Sequence, residues 1–513
     1  MTWPLTTEIG AAPTTSLTSE RARAARGVLA TSALLGVGAD VALRNLQGGL
    51  GWTLWVFALS AAAVNVARRR SILTSEQILW LGTAIACATA FAWRDSENLR
   101  VANVLGTLVA IAMFAMSAAR LPAASIMTAR IRDVIAAGLY TMRDMLGGAP
   151  VMALTEIEPH TFAPVRGATS WTAMRALLIT APLVLVFTVL LSRADPVFAS
   201  AFDAFQFDFT TFVPHVVLAG VFAWLTAGWI RGSLLGVARR AAIPERIPLR
   251  LGHAEIATSL GAVIALFTVF VSLQVRWLFG GADVVLATTG LTVAEYARRG
   301  FFELVTVATL VCPLILVTRA AIEDRDVIAR HRQLSFVLIV LLAAIVASAL
   351  LRMQLYVTHF GLTTDRLYAT ALMVWLGVVF GAMALTVLRG RGRAFAAVSM
   401  LTGFATLFAL NAVNPEGLVA RVNLGRSENG ARVVDYEYLA RLSGDAAPLV
   451  ANALRAAQPT TESCRAAKSL RWRWVRADGV SWNLGAWKGR EFVSARLSPL
   501  DVRRLCGDVS ASD

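Results

Sequence analysis

The chain has 513 residues, of which 57% are hydrophobic and only 16% are charged. Soluble domains average about a quarter charged residues, so a string of soluble domains is excluded. The net charge of +15 comes from arginines that are grouped between apolar segments. This grouping is typical of membrane topology rather than of a nucleic-acid surface. We therefore expect the lipid bilayer, and not nucleic acid, as the partner of this chain.

Apolar segments long enough to cross a hydrocarbon core about 30 Å thick recur along the chain. The first follows Arg21, Arg23 and Arg26 and lacks a clear small-residue cleavage site, which favours a membrane span over a cleavable signal peptide. The sequence predicts an all-α transmembrane bundle of about 11 spans. The predicted spans are 27–43, 49–66, 77–93, 101–118, 174–192, 212–230, 256–275, 300–318, 334–351, 367–388 and 394–412.

The arginines are distributed unevenly between alternate loops. One set of loops is rich in arginine, as at Arg68–Arg70 and Arg389–Arg393, whereas the alternate loops are sparse, as at Arg94 and Arg100. Positively charged loops stay in the cytoplasm. The pattern predicts a multi-pass protein of the bacterial cytoplasmic (inner) membrane, with a cytoplasmic N-terminus and an extracytoplasmic C-terminal domain.

This topology divides the chain into five regions. Within the linker, Ile131, Ile135, Leu139 and Met142 form an apolar stripe. Such a stripe is typical of an amphipathic helix on the inner leaflet, and a plain linker helix over 125–146 is the alternative. The regions are a cytoplasmic leader (1–26), a four-helix membrane region (27–118), a cytoplasmic linker (119–173), a seven-helix membrane core (174–412) and an extracytoplasmic C-terminal domain (413–513).

The C-terminal domain is predicted to be small and α+β. Residues 433–457 are typical of a helical hairpin, the alternating tryptophans of 471–496 predict a β-hairpin, and Ser498 with Asp501 predicts a capped final helix. Cys464 and Cys506 both fall in this domain, and an oxidising compartment would favour a disulfide between them. Two unrelated free thiols are the alternative.

Motifs for the common catalytic chemistries are absent. The sequence has no Walker A loop, no HExxH, no GxSxG and no paired CxxC, and its five histidines are scattered. We therefore predict no catalytic residue, no metal site and no cofactor, and we favour a protein that is not an enzyme.

Polar residues gather instead at the predicted outer ends of the spans. Ion pairs and helix caps that close the bundle would account for all of them. The functional alternative is an outward-facing pocket in which the arginines hold an anionic lipid headgroup or a small solute, because guanidinium groups bind phosphate and carboxylate in bidentate fashion. The candidate ligand-binding residues are Arg193, Asp195, Glu295, Tyr296, Arg299, Glu303, Arg352, Asp365, Arg366 and Asn414.

Several of these motifs resemble a bacterial membrane family, domain of unknown function 4173. They are the stretches Ser192–Phe198, Glu295–Leu304 and Thr364–Tyr368, with Asn414-Pro415 and Asp435–Leu439 extending the likeness into the C-terminal domain. The resemblance covers about residues 170–460. It implies a multi-pass membrane protein and assigns no catalytic role to any residue.

Three functions are compatible with these features. The first is the binding or translocation of a lipid, ion or small solute through the outer arginine and carboxylate cluster. The second is a membrane-embedded transferase acting on lipid-linked substrates at the outer face, with Asp195 or Asp365 as base. The third is an envelope sensor or assembly factor, in which the C-terminal domain recruits a partner.

Overall fold

The computed structural model describes residues 14–44, 49–69, 72–119, 125–152, 209–235, 251–289, 301–428, 434–475 and 482–507, with isolated positions between 180 and 191. All regular structure in these residues is helical. The membrane-region helices are α1 (Thr14–Leu43), α2 (Gly49–Arg69), α3 (Ser75–Trp93), α4 (Glu97–Ala119), α5 (Ile131–Val151), α6 (Phe209–Ile230), α7 (His253–Thr289), α8 (Phe301–Ala320), α9 (Arg325–Phe360), α10 (Thr364–Leu385) and α11 (Gly392–Val413). A π-helical turn, Arg231–Leu235, extends α6.

Nine helices of the described part of the chain are long and apolar enough to cross a membrane. They are α1, α2, α4 and α6 to α11. The predicted span 77–93 is α3, which carries Glu76 and Gln77 in its first turn and is not among the nine. The predicted span 174–192 lies outside the described residues except for isolated positions. The chain is thus a helical membrane-type protein, whereas eleven spans and their orientation stay predictions.

The membrane helices form two apolar cores. The first joins α1 to α6 and includes the fully buried Trp80 and Phe114. The second joins α7 to α10 around Leu338 and Leu342. Helix α11 contributes to both, because Phe404 packs in the first core and Phe395 in the second.

Helix α5, Ile131–Val151, overlaps the segment 125–146 of the predicted linker. One side packs against α4 and α6. The other side leaves the apolar side chains of Ile135, Leu139, Met142 and Leu146 exposed. Its placement on the inner leaflet stays a prediction.

The C-terminal region adds six shorter helices around a third core, which includes Val450, Leu454, Leu470 and Val493. They are α12 (Pro415–Glu428), α13 (Tyr436–Ala440), α14 (Ala447–Ala456), α15 (Thr461–Val475), α16 (Leu484–Arg496) and α17 (Pro499–Cys506). Here the term C-terminal domain means α12–α17, and the end of the membrane bundle that contacts it is called the domain face.

The predicted β-hairpin over 471–496 is wrong. Its residues 471–475 form the end of α15, its residues 484–496 form all of α16, and the described residues of the domain contain no strand. The buried residues Ala467, Leu470 and Trp474 recur at helical spacing, and the alternation of Arg and Trp masks this period in the sequence. The α+β assignment is therefore replaced by an all-α domain in the residues described.

Two other features of the domain agree with the sequence. Ser498 begins α17 with a complete capping box, in which its side chain and that of Asp501 bond each other's backbone. Cys464 in α15 and Cys506 in α17 form a disulfide with their Cα atoms 5.0 Å apart.

Candidate functional site

The turn between α3 and α4 holds a buried arginine that joins three parts of the chain. Arg94 is extended at the C-cap of α3 and is only 9% exposed. Its Nε donates to the carbonyl of Asn411 at 2.7 Å, and its Nη1 lies 3.3 Å from Oδ1 of Asp445. One guanidinium group therefore connects the end of α3, the end of α11 and the C-terminal domain.

Asp95 and Asp445 are joined by hydrogen bonds from backbone N–H groups to side-chain carboxylates. The backbone N–H of Asp95 donates to Oδ2 of Asp445 at 2.7 Å. In return, the N–H of Gly444 donates to Oδ2 of Asp95 at 2.8 Å. The α3–α4 turn and the loop 443–446 thus each accept a hydrogen bond from a backbone N–H group of the other. Arg100 lies 3.9 Å from the second carboxylate oxygen of Asp95. We call the set Arg94, Asp95, Asn414, Gly444 and Asp445 the polar junction.

Burial dominates the ionisation of both carboxyl groups in the polar junction. Loss of solvent raises the pKa of Asp95 and that of Asp445 above the usual range. The hydrogen bonds from Gly444 and Asp95, and the charges of Arg100 and Arg94, oppose that rise without cancelling it. The carboxylate of Asp445 also raises the pKa of Asp95, and the buried Glu416 raises the pKa of both carboxyl groups.

Asn414 sets the direction of the chain at this point. It is the one described non-glycine residue with a positive φ, and asparagine tolerates this left-handed conformation better than most residues. Its side chain accepts from the N–H of Gly417 at 3.1 Å and donates to the carbonyl of Asp445 at 3.4 Å. Helix α11 therefore ends and α12 begins directly beside the polar junction.

Asn483 attaches α16 to the domain face. Its side-chain oxygen caps α16 by accepting from the N–H groups of Gly485 and Ala486. Its side-chain nitrogen donates to the carbonyls of Phe91 and Arg94 at 2.9 and 2.8 Å. Asn483 is 1% exposed, so one buried amide joins the beginning of α16 to the end of α3.

A second contact joins the domain to the turn between α9 and α10. Asn423 of α12 accepts from the N–H of Leu362 at 2.9 Å and donates to its carbonyl at 2.7 Å. The hydroxyl of Tyr438 accepts from the N–H of Thr364 at 3.1 Å. Gly361 ends α9 with a positive φ and no side chain, which permits the close approach of Asn423. The domain therefore contacts the first core through α3 and the second through α9 and α10.

A cavity of about 110 Å³ opens at the polar junction. Arg94 and Asp445 form its polar side, Lys488 lies on α16, and the beginning of α16 presents backbone at Gly485. The remaining lining is largely apolar. The complete lining is Trp93, Arg94, Asn414, Gly444, Asp445, Pro448, Leu484, Gly485 and Lys488.

The candidate residues from the sequence fall into three groups. Arg193, Asp195, Glu295, Tyr296 and Arg299 lie outside the described residues. Glu303 is exposed in the first turn of α8, and Arg352 is partly buried within α9.

Asp365, Arg366 and Asn414 lie at the domain face. Asp365 and Arg366 are in the first turn of α10, where Arg366 stacks 4.0 Å above the ring of Tyr356 and donates to the carbonyl of Gly361. Asn414 belongs to the polar junction and lines the cavity there.

The residues that complete the junction were missed from the sequence. Arg94, Asp95, Asp445 and Asn483 are polar residues in short connections, and connections of this kind are ordinarily solvent-exposed. A usable signal was present at Arg94-Asp95, where adjacent opposite charges directly end an apolar helix.

Comparison with known proteins gives a family but no described relative. No curated protein and no solved structure matches the chain. The resemblance to domain of unknown function 4173 is wrong, because another family of unknown function is matched. The match to that family extends from α3 into α14 and includes every residue of the polar junction. It does not include α16. The model of the Domain of unknown function (DUF4153) matches residues 81–453, well over half of the chain, and the chain therefore belongs to that family.

Proposed function

We propose that this membrane protein binds an anionic group, carried by a small solute or a lipid, in the cavity at the polar junction. The protein is not an enzyme on this proposal, and the domain face is the extracytoplasmic face. The site differs from the one expected from the sequence, because Arg94 and Lys488 take the place of the predicted arginines, while Asn414 is retained.

The observation that carries the proposal is the pairing of positive groups around one cavity. Arg94 and Lys488 both line it, and the first turn of α16 contributes Gly485 to the lining. Asp445 compensates only one of the two cations, so the lining keeps a net positive charge. Arg94 is held by fixed partners and Lys488 is exposed, a combination suited to attracting an anion without rearranging the junction.

The proposal is tested with glycerol phosphate as a soluble probe. We expect millimolar glycerol phosphate to raise the unfolding midpoint of the detergent-solubilised protein, because a ligand that binds only the folded state stabilises it. Lys488→Glu removes this rise, and Lys468→Glu on α15 serves as the matched control. Equal rises in all three proteins would contradict binding at this cavity, and no rise in the wild type would exclude a small soluble solute as the carrier of the anionic group.

One observation favours the assembly-factor alternative. Trp472 of α15 is 67% exposed, and Arg465 and Lys468 are exposed on the same helix. Aromatic residues and arginine, though not lysine, are enriched at protein interfaces. If this surface recruits a partner, a stoichiometric protein should co-purify with the wild type and be lost with Trp472→Glu.

A further inference from the structure

We infer that the anionic group is the phosphate of a membrane lipid, bound where α16 meets the headgroup layer. The inference rests on the proposed function and names the ligand class of the same cavity. It is carried by the position of the cavity, by the aromatic side chains around it and by the apolar surface that continues from it.

The cavity lies at the level where membrane helices begin and end. The N–H of Leu50, the second residue of α2, donates to the carbonyl of Trp482 at 3.1 Å. Trp482 immediately precedes the N-cap of α16. The beginning of α16 is therefore next to the first turn of a helix that is long and apolar enough to cross the membrane.

Trp93 lines the cavity, Trp482 and Trp487 are close in sequence to the lining residues Leu484 and Lys488, and all three tryptophans leave much of their surface uncovered. Trp93, Trp482 and Trp487 are 41%, 42% and 48% exposed. Large aromatic surfaces in water are unfavourable, but tryptophan is enriched at the membrane interface, where its ring is apolar and its N–H can reach headgroups. We call these three residues the tryptophan edge and place it in the headgroup layer.

An apolar path leads from the cavity towards the acyl chains. Trp93 and Leu484 form part of the cavity wall. Leu50, whose N–H donates to Trp482, and Leu54 one turn further along α2 are 40% and 56% exposed. The cavity is large enough for a phosphate group but not for a whole lipid, so the glycerol and acyl chains would extend along α2 and α3. A small soluble anion has no acyl chain that would cover this apolar surface.

The two lysines of the chain provide the test. Lys488 lines the cavity and Lys468 lies on α15, and both are exposed. Each lysine amine is acylated with a water-soluble activated ester, and peptide mass spectrometry measures the rate of acylation at each lysine. We compare nanodiscs of phosphatidylglycerol with nanodiscs of a neutral galactolipid, and with maltoside micelles with and without glycerol phosphate.

A bound lipid phosphate slows acylation of Lys488 about fivefold in phosphatidylglycerol relative to the galactolipid, after normalisation to Lys468. Trp487→Ala reduces this protection. Equal Lys488 rates in the two bilayers would overturn the inference.

Protection by free glycerol phosphate in micelles that matches protection by phosphatidylglycerol would assign the site to a soluble anion. That outcome overturns the lipid inference and leaves the proposed function standing. Protection by lipid alone supports the inference even if the soluble probe fails to bind.

Discussion

Individual buried polar residues at the domain face are paired with one another across the helices. Asn103 and Asn411, which are 0% and 2% exposed, donate to each other's side-chain oxygen at 3.0 Å. The hydroxyls of Ser96 and Tyr368 lie 2.9 Å apart and join the α3–α4 turn to α10. A buried polar group in such a setting stabilises the fold only while its partner is present.

The amide pair yields a prediction at the residue scale. Asn103→Leu leaves the side chain of Asn411 with an unpaired donor and acceptor, which should lower the free energy of unfolding by about 1–3 kcal/mol. The double variant Asn103→Leu/Asn411→Leu should lose less than the sum of the single variants. Thermal unfolding in detergent measures both effects, and strict additivity would show that the two amides do not interact.

The carboxyl group of Asp95 predicts a pH dependence. Its pKa is raised in the folded state, so its contribution to stability is fully present below the unfolded-state pKa of about 3.9 and is lost as pH rises through the folded-state pKa. Asp95→Asn can still accept from Gly444 and should flatten this loss. Unfolding midpoints between pH 4 and pH 8 give the measurement.

Asp501 provides the opposite control. Hydrogen bonds from Ser498 lower the pKa of its carboxyl group, so its contribution is present above the unfolded-state pKa and is lost as pH falls through the folded-state pKa. Asp501→Asn should therefore lower the unfolding midpoint at neutral pH, and this difference from the wild type should disappear at the acidic end. A wild-type profile that Asp95→Asn leaves unchanged would show that this carboxyl group is not buried as described.

At the scale of elements, helix-capping residues in the sequence indicate correctly where helices begin. Thr363 precedes the first residue of α10, and its side chain accepts from the N–H of Arg366. Ser498 and Asp501 likewise begin α17 as predicted. The period of α15 was misread because Arg471 and Arg473 alternate with Trp472 and Trp474, and alternation over so few residues fits a strand equally well. The packing of Leu470 and Trp474 in the core of the C-terminal domain is what favours the helix over a strand.

Asn483 carries the prediction for α16. Asn483→Ala removes the cap, which costs about 1 kcal/mol, and also leaves the carbonyls of Phe91 and Arg94 without this donor. We expect faster proteolysis between α15 and α16 in the folded protein. Asn483→Asp keeps an N-cap oxygen but loses the donor, so it should show an intermediate rate. Wild-type rates in both variants would mean that this amide does not attach the helix.

At the scale of the molecule, apolar periodicity predicted the membrane helices but not how they are joined. Nine of the predicted spans correspond to candidate membrane helices in the described residues, since segment length and hydropathy are local properties. The joining of Asp95 to Asp445 spans 350 positions of sequence. A contact of that separation depends on the whole fold, so no local pattern predicts it.

Topology and the disulfide give the prediction at this scale. In intact cells, an impermeant maleimide should label Cys464 and Cys506 only after reduction, because the extracytoplasmic compartment is oxidising and keeps the pair as a disulfide. Replacing both by serine should cost about 4 kcal/mol, the loop-closure value for a separation of 42 residues. Labelling only after lysis and without reductant would place the domain in the cytoplasm.

The long separation within the polar junction also bears on biosynthesis. Because a ribosome adds roughly ten amino acids each second, on the order of half a minute passes between synthesis of Asp95 and synthesis of Asp445. During that interval Arg94 and Asp95 end α3 without their partners in the C-terminal domain. The N-terminal helices can complete these contacts only after Gly444 and Asp445 have been synthesised. A chain that ends before Gly444 lacks both partners and should be less stable than the full chain.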